Sequence, residues 1–518
     1  MDLLNFLVLI PLAAMTLGFF MPADKHAWHR AVGMLAGASC LGIGLKLFHL
    51  AMTADDIEAA LRPLTSESIP WVESLGISWT VGVDGMSVVM ILLTGFVMFT
   101  ASLVTSQAIH KEPKNFFILM NALVTGVFGV FIVRDMFFMY LAFELAVVPM
   151  FLLIAVWGST QKEYAAMKLT LFLTAGALVA LVGILSLYYE TWSWLQSINP
   201  DAKPTFSLDA AIAAAEAGGF SEAFQIRTFG FLFIGFASII PMWPLHTWSP
   251  VGHAAAPSAG SMMHAGVLMK LGAFAVLRVA FPTCPIGAAF WLPYVGVIAM
   301  MNIVYGGFVA MAQKDMKFVI GYSSSSHMGY TLLGLATVNV IGVSGAVFLM
   351  FAHGIMTALA FSLIGFFYDQ THNRYIPDLG GLAHQIPFVG TCFAIMALAS
   401  AGVPGFANFA SEFMIMFGAW EAGMEWQAIV AVFGVVISAV YLLRAVRNAF
   451  WGPRNPRWDG IKDAKSPFER LPFIVLITVL LIFGLYPKPM TDVIKSGVTP
   501  IVKPVQDAQK RLESEGGN

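Results

Sequence analysis

A few ionisable residues stand in this sequence where hydrocarbon would normally exclude them. "MYLAFELAVVPMFLLIAVWG" carries Glu144 near the middle of an apolar run, shortly before Pro149. "MMHAGVLMKLGAFAVLR" carries Lys270, with His264 earlier in the same run. "VIGYSSSSHMGYTLLG" brings a serine run and His327 into another, and "MFAHGIMTALAF" adds His353. "GVPGFANFASEFMIMFGAW" breaks at Pro404–Gly405 and then places Glu412. Together such groups can relay protons. Burial raises the pKa of a carboxylic acid and lowers that of a lysine, and a nearby opposite charge reverses both shifts. A buried series of carboxyl, amine, imidazole and hydroxyl groups therefore passes a proton when its pairings change.

A plainer reading stands beside this one. A lone intramembrane histidine or serine is commonly a satisfied interhelical hydrogen bond, worth about 0.6 kcal/mol. For His353 or the serine run taken alone, both readings stay open. A mid-span glutamate or lysine is different. At the bilayer centre it costs about 2.5–3.5 kcal/mol even on the lenient insertion scale, and such groups mark ion or proton paths by default. The stretch from Ala237 to Lys270 adds four prolines and three histidines to its lysine. Proline costs a helix interior about 3 kcal/mol. Breaks at Pro241, Pro244 and Pro404 expose backbone polar groups, which a membrane tolerates only inside protein or beside a water-filled cavity. Broken helices in both halves of a long chain also fit paired inverted repeats.

These residues need a membrane scaffold to hold them. The chain is 58% hydrophobic and 11% charged, against roughly 25% charged for a soluble domain, which excludes a soluble enzyme. Alternating ten-residue segments of a membrane barrel are absent, and no basic block suggests nucleic acid. Hydropathy predicts an all-α polytopic membrane protein of about fourteen helices, at 3–21, 30–52, 83–106, 115–133, 136–157, 166–189, 228–249, 256–280, 287–311, 317–339, 341–368, 388–420, 427–451 and 471–490. Residues 53–80 and 190–226 form long acidic connections, with Glu58, Glu67, Asp209 and Glu216 among their charges. Basic residues gather in the alternate loops, most densely from Arg444 to Arg470. The positive-inside rule then places both termini on the non-cytoplasmic side. The residues after the last span read as a solvated or surface-lying tail. Cys40, Cys284 and Cys392 are isolated and form no metal or disulfide pattern.

The motifs "YLAFELAVVPMFLLIAVWG", "MWPLHTWSPVGHAAAPSAGS", "AGVLMKLGAFAVLR", "GYSSSSHMGYTLLG" and "GVPGF" followed by "SEF" resemble, in order and spacing, the antiporter-like subunits of respiratory complex I, the NuoM type above all. The resemblance runs from about residue 80 to 450. It implies fourteen helices, two inverted five-helix repeats and discontinuous seventh and twelfth helices. The expected organisation is 1–110 for helices one to three, 111–283 for the first repeat, 284–453 for the second, and 454–518 for a cytoplasmic loop, the last helix and the tail. The implied setting is the membrane arm of a redox-driven proton pump in a bacterial cytoplasmic membrane, beside L- and N-type antiporter-like subunits. NADH, FMN, iron–sulfur clusters and quinone would bind to other subunits and not to this chain.

Carried over by motif, Glu144 matches the fifth-helix glutamate, Lys270 the central lysine of the eighth helix, and His327 and His353 the histidines of a central polar axis. Glu412 matches the twelfth-helix acid near the exit side, and Asp315 and Lys317 fall on the polar approach of the tenth helix. One position departs from the pattern. The family reads lysine three residues before the methionine of "PM" on the seventh helix, and this sequence has Ile239. Val251 likewise replaces an acid. The partner of Glu144 is then missing. Either a histidine (His246, His253 or His264) with water replaces it, His264 being the best candidate because it lies on the lysine-bearing helix, or this half-channel has lost its charge-pair switch. Three functions stay open: a proton-translocating complex I subunit; a subunit of a related Mrp-type sodium/proton antiporter or membrane-bound hydrogenase; and a non-pumping spacer paralogue.

Overall fold

The computed structural model describes residues 3–65, 68–109 and 111–516; Glu67 lies outside them. The helices that matter for the site are α1 (Asn5–Phe20), α2 (His26–Thr53), α3 (Gly85–Ala108), α4 (Pro113–Ile132), α5 (Met136–Trp157), α6 (Lys162–Ile198), α7 (Glu222–Ala237) and α8 (Trp248–Ala255). They continue as α9 (Ser258–Thr283), α10 (Pro285–Ala312), α11 (Met316–Ala336), α12 (Val340–Thr371), α13 (Pro387–Ser400), α14 (Ala407–Glu421), α15 (Glu425–Phe450), α16 (Pro467–Leu485) and α17 (Lys488–Gly516). Among the described residues, ten helices are long and apolar enough to cross a membrane. The remaining predicted spans coincide with the short α1, with α11, whose serines lower its hydropathy, and with two interrupted pairs, α7–α8 and α13–α14.

Local chemistry sets the helix starts. Asp84, Asp135, Asp315 and Asn339 each precede a helix and accept hydrogen bonds from its first free N–H groups, at 2.9, 2.9, 2.8 and 2.7 Å. Ser466 and Glu469 form a reciprocal capping box at α16. The two acidic connections are more structured than their composition suggests. The first holds a β-hairpin of β1 (Ile69–Val72) and β2 (Ile77–Trp79). In the second, α6 runs on to Ile198 and a short helix covers Leu208–Glu216. Of the two forms expected for the tail, solvated or surface-lying, the structure shows an amphipathic helix laid on the bundle: α17 buries Met490, Val493, Ile494, Val498, Val502 and Val505 against it. Its start crosses α3 closely, since a Cβ on Gly85 would lie 1.8 Å from the Val493 carbonyl oxygen.

At the centre lie α9 and α12, whose apolar stretches are wholly enclosed, whereas those of α5, α6, α10, α15 and α16 are less than half buried. The outer helices turn Leu141, Leu171, Val182, Phe308 and Val432 outward, as a lipid-facing surface requires. α9 and α12 meet through glycine: a Cβ on Gly354 would lie 2.5 Å from the Gly266 carbonyl oxygen. On the acidic side, Arg278 ties α9 to α3 through Asp84, at 2.7 and 2.9 Å, and the Ser87 hydroxyl at 2.7 Å. On the basic side, Arg374 donates to Asp315 and to the Ala254 carbonyl, both at 2.7 Å, and Lys317 donates to the Ala256 carbonyl at 2.7 Å. Two cations thus cap the C-terminal end of α8, where the helix dipole favours positive charge.

Two stability effects follow. Gly354→Ala should lower the thermal unfolding midpoint of the purified protein by the equivalent of about 1–3 kcal/mol, because the added methyl meets backbone. Gly42→Ala, with nothing near the new methyl, should leave the midpoint unchanged or raise it. Arg374→Ala strands Asp315 and the Ala254 carbonyl and should cost about 3–5 kcal/mol; chemical denaturation that matches wild type would show that the pair is not structural.

Candidate functional site

The two helix interruptions shape the site. Between α7 and α8 the chain leaves α-helical geometry from Ser238 to Thr247, with one 3-10 turn at Leu245–Thr247. Its freed backbone groups find side chains: Asn302 of α10 accepts from the Trp243 N–H at 2.7 Å, and the Trp248 indole donates to the Ser238 carbonyl at 2.9 Å. Between α13 and α14 the chain turns through left-handed Gly402 and Gly405. There His327 of α11 reaches the carbonyl of Ser400, the last residue of α13, at 3.1 Å. Buried polar backbone is tolerated at membrane depth when it is satisfied in this way.

Five of the six sequence-predicted relay residues gather between the two interruptions. His264 lies between Trp248 and His253, with ring centroids 5.4 and 4.1 Å away. Just beyond, α9 widens into a π-helical turn over His264–Leu268, a feature frequent at functional sites. Lys270 is fully buried. Its ammonium group donates to the carbonyl of Ala265, inside that wide turn, and to His353 Nδ1 at 2.9 Å. The His353 and His327 rings are 5.2 Å apart, and His327 Nε2 is 3.4 Å from Glu412. Glu412 is buried, and Gly402 makes room for it: a Cβ there would lie 2.8 Å from the carboxylate. Lys270, His353, His327 and Glu412 follow one another along this axis, with the His253–His264 pair near its lysine end.

The sixth residue, Glu144, stands apart. It is half-buried on α5, with exposed Leu141, Leu145 and Val148 around it. Its hydrogen-bonding neighbour is Tyr140, one turn earlier, and its Oε1 is buried without a partner among the described residues. Ile239, in the place of the family's lysine, is buried against α9, where a Cβ on Gly272 would lie 3.2 Å from it. The structure therefore does not bring His264 to Glu144. His264 belongs to the central axis.

The arrangement has definite chemical consequences. When Lys270 donates to Nδ1 of a neutral His353, that ring carries its hydrogen on Nε2, an atom with no protein partner. Both nitrogens of His327 face carbonyl oxygens, Ser323 at 2.8 Å and Ser400 at 3.1 Å. Only a ring with hydrogen on both nitrogens satisfies both, and Glu412 lies beside it as counter-charge. Like charges on His353 and His327 repel by about 3 kcal/mol at their separation and an effective dielectric constant of 20. A proton arriving at one histidine therefore works to expel a proton from the other. Reading the sequence had not placed His253 in the axis; its position one motif before the lysine-bearing helix was the available signal. Asn302, which holds the first interruption together, gave none.

Comparison with known proteins agrees with this architecture. Residues 133–438 match the family described as NADH:quinone oxidoreductase/Mrp antiporter, TM. NADH-quinone oxidoreductase subunit M of Rhodobacter capsulatus is 34% identical over 442 residues, covering 84% of each chain. NAD(P)H-quinone oxidoreductase chain 4 of Gloeobacter violaceus is 32% identical over 497 residues, covering 94% of this chain and 90% of its own. A chain of respiratory complex I from Thermus thermophilus, solved with bound NADH, superposes with a TM-score of 0.85 at 27% identity, covering 97% of this chain and 99% of that one. A chain of the Mrp complex of Dietzia shares the fold, with a TM-score of 0.83 at 17% identity over 98% of this chain and 99% of that one. With its broken helices, its buried lysine–histidine–glutamate axis and relatives that match it over nearly their whole length, the chain belongs to the NADH:quinone oxidoreductase/Mrp antiporter transmembrane family.

Proposed function

We propose that this chain is a proton-translocating membrane-arm subunit of an NADH:quinone oxidoreductase. One observation carries the reading: a fully buried lysine in hydrogen-bond contact with the first of two adjacent histidines, the second of which ends on a buried glutamate at a helix break. A spacer would gain nothing from keeping four ionisable groups so far from water. Redox-driven shifts in neighbouring subunits would alter the charge at one end of the axis. The Lys270 ammonium then gives its proton to His353 Nδ1, and repulsion between His353 and His327 drives a proton from His327 Nε2 onto Glu412.

In this reading the chain itself carries no redox chemistry. NADH, FMN, iron–sulfur clusters and quinone belong to other subunits, and L- and N-type antiporter-like subunits are its membrane neighbours. The membrane is the bacterial cytoplasmic membrane. The loops bearing Lys114, Lys162, Lys314 and Arg444 face the cytoplasm and both termini the opposite side. Glu144, among apolar residues on the outer face of α5, belongs to the coupling between this subunit and the next. The fold is shared with the Mrp complex, so purification from native membrane with identification of the accompanying chains separates the two assemblies. Flavin and iron–sulfur subunits support the proposal, and antiporter chains alone replace it.

Lys270→Met should leave assembly largely intact while lowering the number of protons moved per electron in proteoliposomes. A fully assembled mutant with an unchanged ratio would sink the proposal. Ile239→Lys installs the family's seventh-helix charge against α9. It should raise the ratio, and no change in an assembled complex would show that the missing lysine is without consequence for pumping.

A further inference from the structure

His327 is joined to the basic face by a second set of hydroxyl groups that the axis does not use. A cavity of about 340 Å³ lies between α10, α11 and α15, walled by Gln313, Lys314, Ile376, Pro377 and Arg444. Lys314 and Arg444 are exposed, and the Arg444 guanidinium spans to the Met311 carbonyl. Tyr441, 1% exposed, also lines this cavity. The Tyr441 hydroxyl donates to Ser323 Oγ at 2.7 Å and lies 3.3 Å from Ser438 Oγ. Ser323 is one helical turn before His327, with its Oγ 3.5 Å from Nδ1 and its carbonyl oxygen 2.8 Å from the same atom. A basic-face cavity, a phenol, a hydroxyl and an imidazole are thus in series, and the imidazole borders Glu412.

We propose that Tyr441 and Ser323 form the proton inlet from the basic face to His327. The step balances as a chain of exchanges. Water in the cavity gives a proton to the Tyr441 oxygen as that oxygen's own hydrogen passes to Ser323 Oγ, and the hydroxide left in the cavity takes a proton from the aqueous phase at the basic face. The original Ser323 hydrogen passes to Nδ1 of a neutral His327 that carries its hydrogen on Nε2. The Nε2 hydrogen then moves to the Glu412 carboxylate, leaving hydrogen on Nδ1, and exchange of the ring back to its Nε2–H tautomer resets the site for the next proton. One O–H or N–H bond forms for each that breaks, and no oxidant or reductant is needed. The Ser323 carbonyl holds the hydrogen newly placed on Nδ1. The step from Ser323 Oγ to Nδ1 is the longest and limits transfer. Tyr330, the neighbouring buried tyrosine, instead donates to the Ala431 carbonyl at 2.7 Å, which leaves Tyr441 as the phenol that connects cavity and axis.

This inlet rests on the proton-translocating reading given above, and the test keeps the two apart. The assembled complex, purified from native membrane and placed in proteoliposomes, is driven with NADH and quinone while proton uptake and electron transfer are recorded together. Tyr441→Phe keeps the packed ring and Ser323→Ala keeps the helix. Each should lower the protons moved per electron, and Ser323→Thr, which restores a hydroxyl, should recover them. A satisfied structural network would change thermal stability and leave that ratio alone. An independent variant, Asn448→Cys, sits exposed on α15 beside the cavity and should pump normally. Reaction with a bulky impermeant thiol reagent from the basic face should then lower its ratio, the native Cys40, Cys284 and Cys392 being buried. The labelling decides the matter if Tyr441→Phe fails to assemble. If Lys270→Met lowers the ratio and neither Tyr441→Phe nor the labelled Asn448→Cys does, the inlet is overturned while the translocating function stands. If Lys270→Met also has no effect, both fall.

Discussion

The contact between Lys270 and His353 is the constraint around which the bundle is organised. An ammonium group at this depth is tolerated only when protein surrounds it and polar atoms receive its hydrogens. Both conditions recur through the fold. α9 and α12 are wholly enclosed, the glycine contact between Gly266 and Gly354 brings them close enough for side chains to meet, and the π-helical turn beginning at His264 offers the Ala265 carbonyl to the lysine. Arg278 anchors the far end of α9 to α3. Moving either central helix outward by a few ångströms would leave a charge facing hydrocarbon.

The two helix interruptions both contain proline and differ in what holds them. Asn302 and Trp248 satisfy the first interruption, and neither side chain changes its protonation in the physiological range. The second is held through the Ser400 carbonyl by His327, whose ring is also in contact distance of Glu412. The first interruption is therefore a fixed piece of architecture. The second depends on a group that gains and loses hydrogen, so that changing the charge on His327 alters both a backbone contact and an ion pair.

Much of this was legible in the sequence, for a physical reason. Charged groups in hydrocarbon are costly enough that Lys270 and Glu412 had to be interior, and prolines near them had to mark breaks. Position along the chain fixes how deep a residue sits and says little about which way it faces. α5 is apolar all round, so no periodicity revealed that Glu144 points away from the axis while Lys270 points into it. The same ambiguity left His264 open as a candidate partner for Glu144, whereas the structure packs it against Trp248 and His253. Hydropathy locates helices whose polar residues face inward but does not tell which way those residues point. The serines of α11 lower its apolar score and at the same time supply the hydroxyls around His327. In α17 the charges left a solvated or a surface-lying tail open, and the apolar stripe beneath them, packed against α3, decides for the surface.

The serine run shows why the plain and the functional reading of buried hydroxyls need not compete. Ser324 donates to the Ile320 carbonyl at 2.9 Å and Ser326 to the Ile303 carbonyl at 2.8 Å; these two are satisfied interhelical or local bonds of the ordinary kind. Ser323 differs because it accepts from Tyr441 at 2.7 Å, which leaves its own hydrogen free to turn toward His327. A hydroxyl that both accepts and donates between side chains can pass a hydrogen along. One whose hydrogen rests on a backbone carbonyl can only hold it. The distinction lies in the partners of each oxygen, and so it becomes visible only once α11 and α15 are packed together.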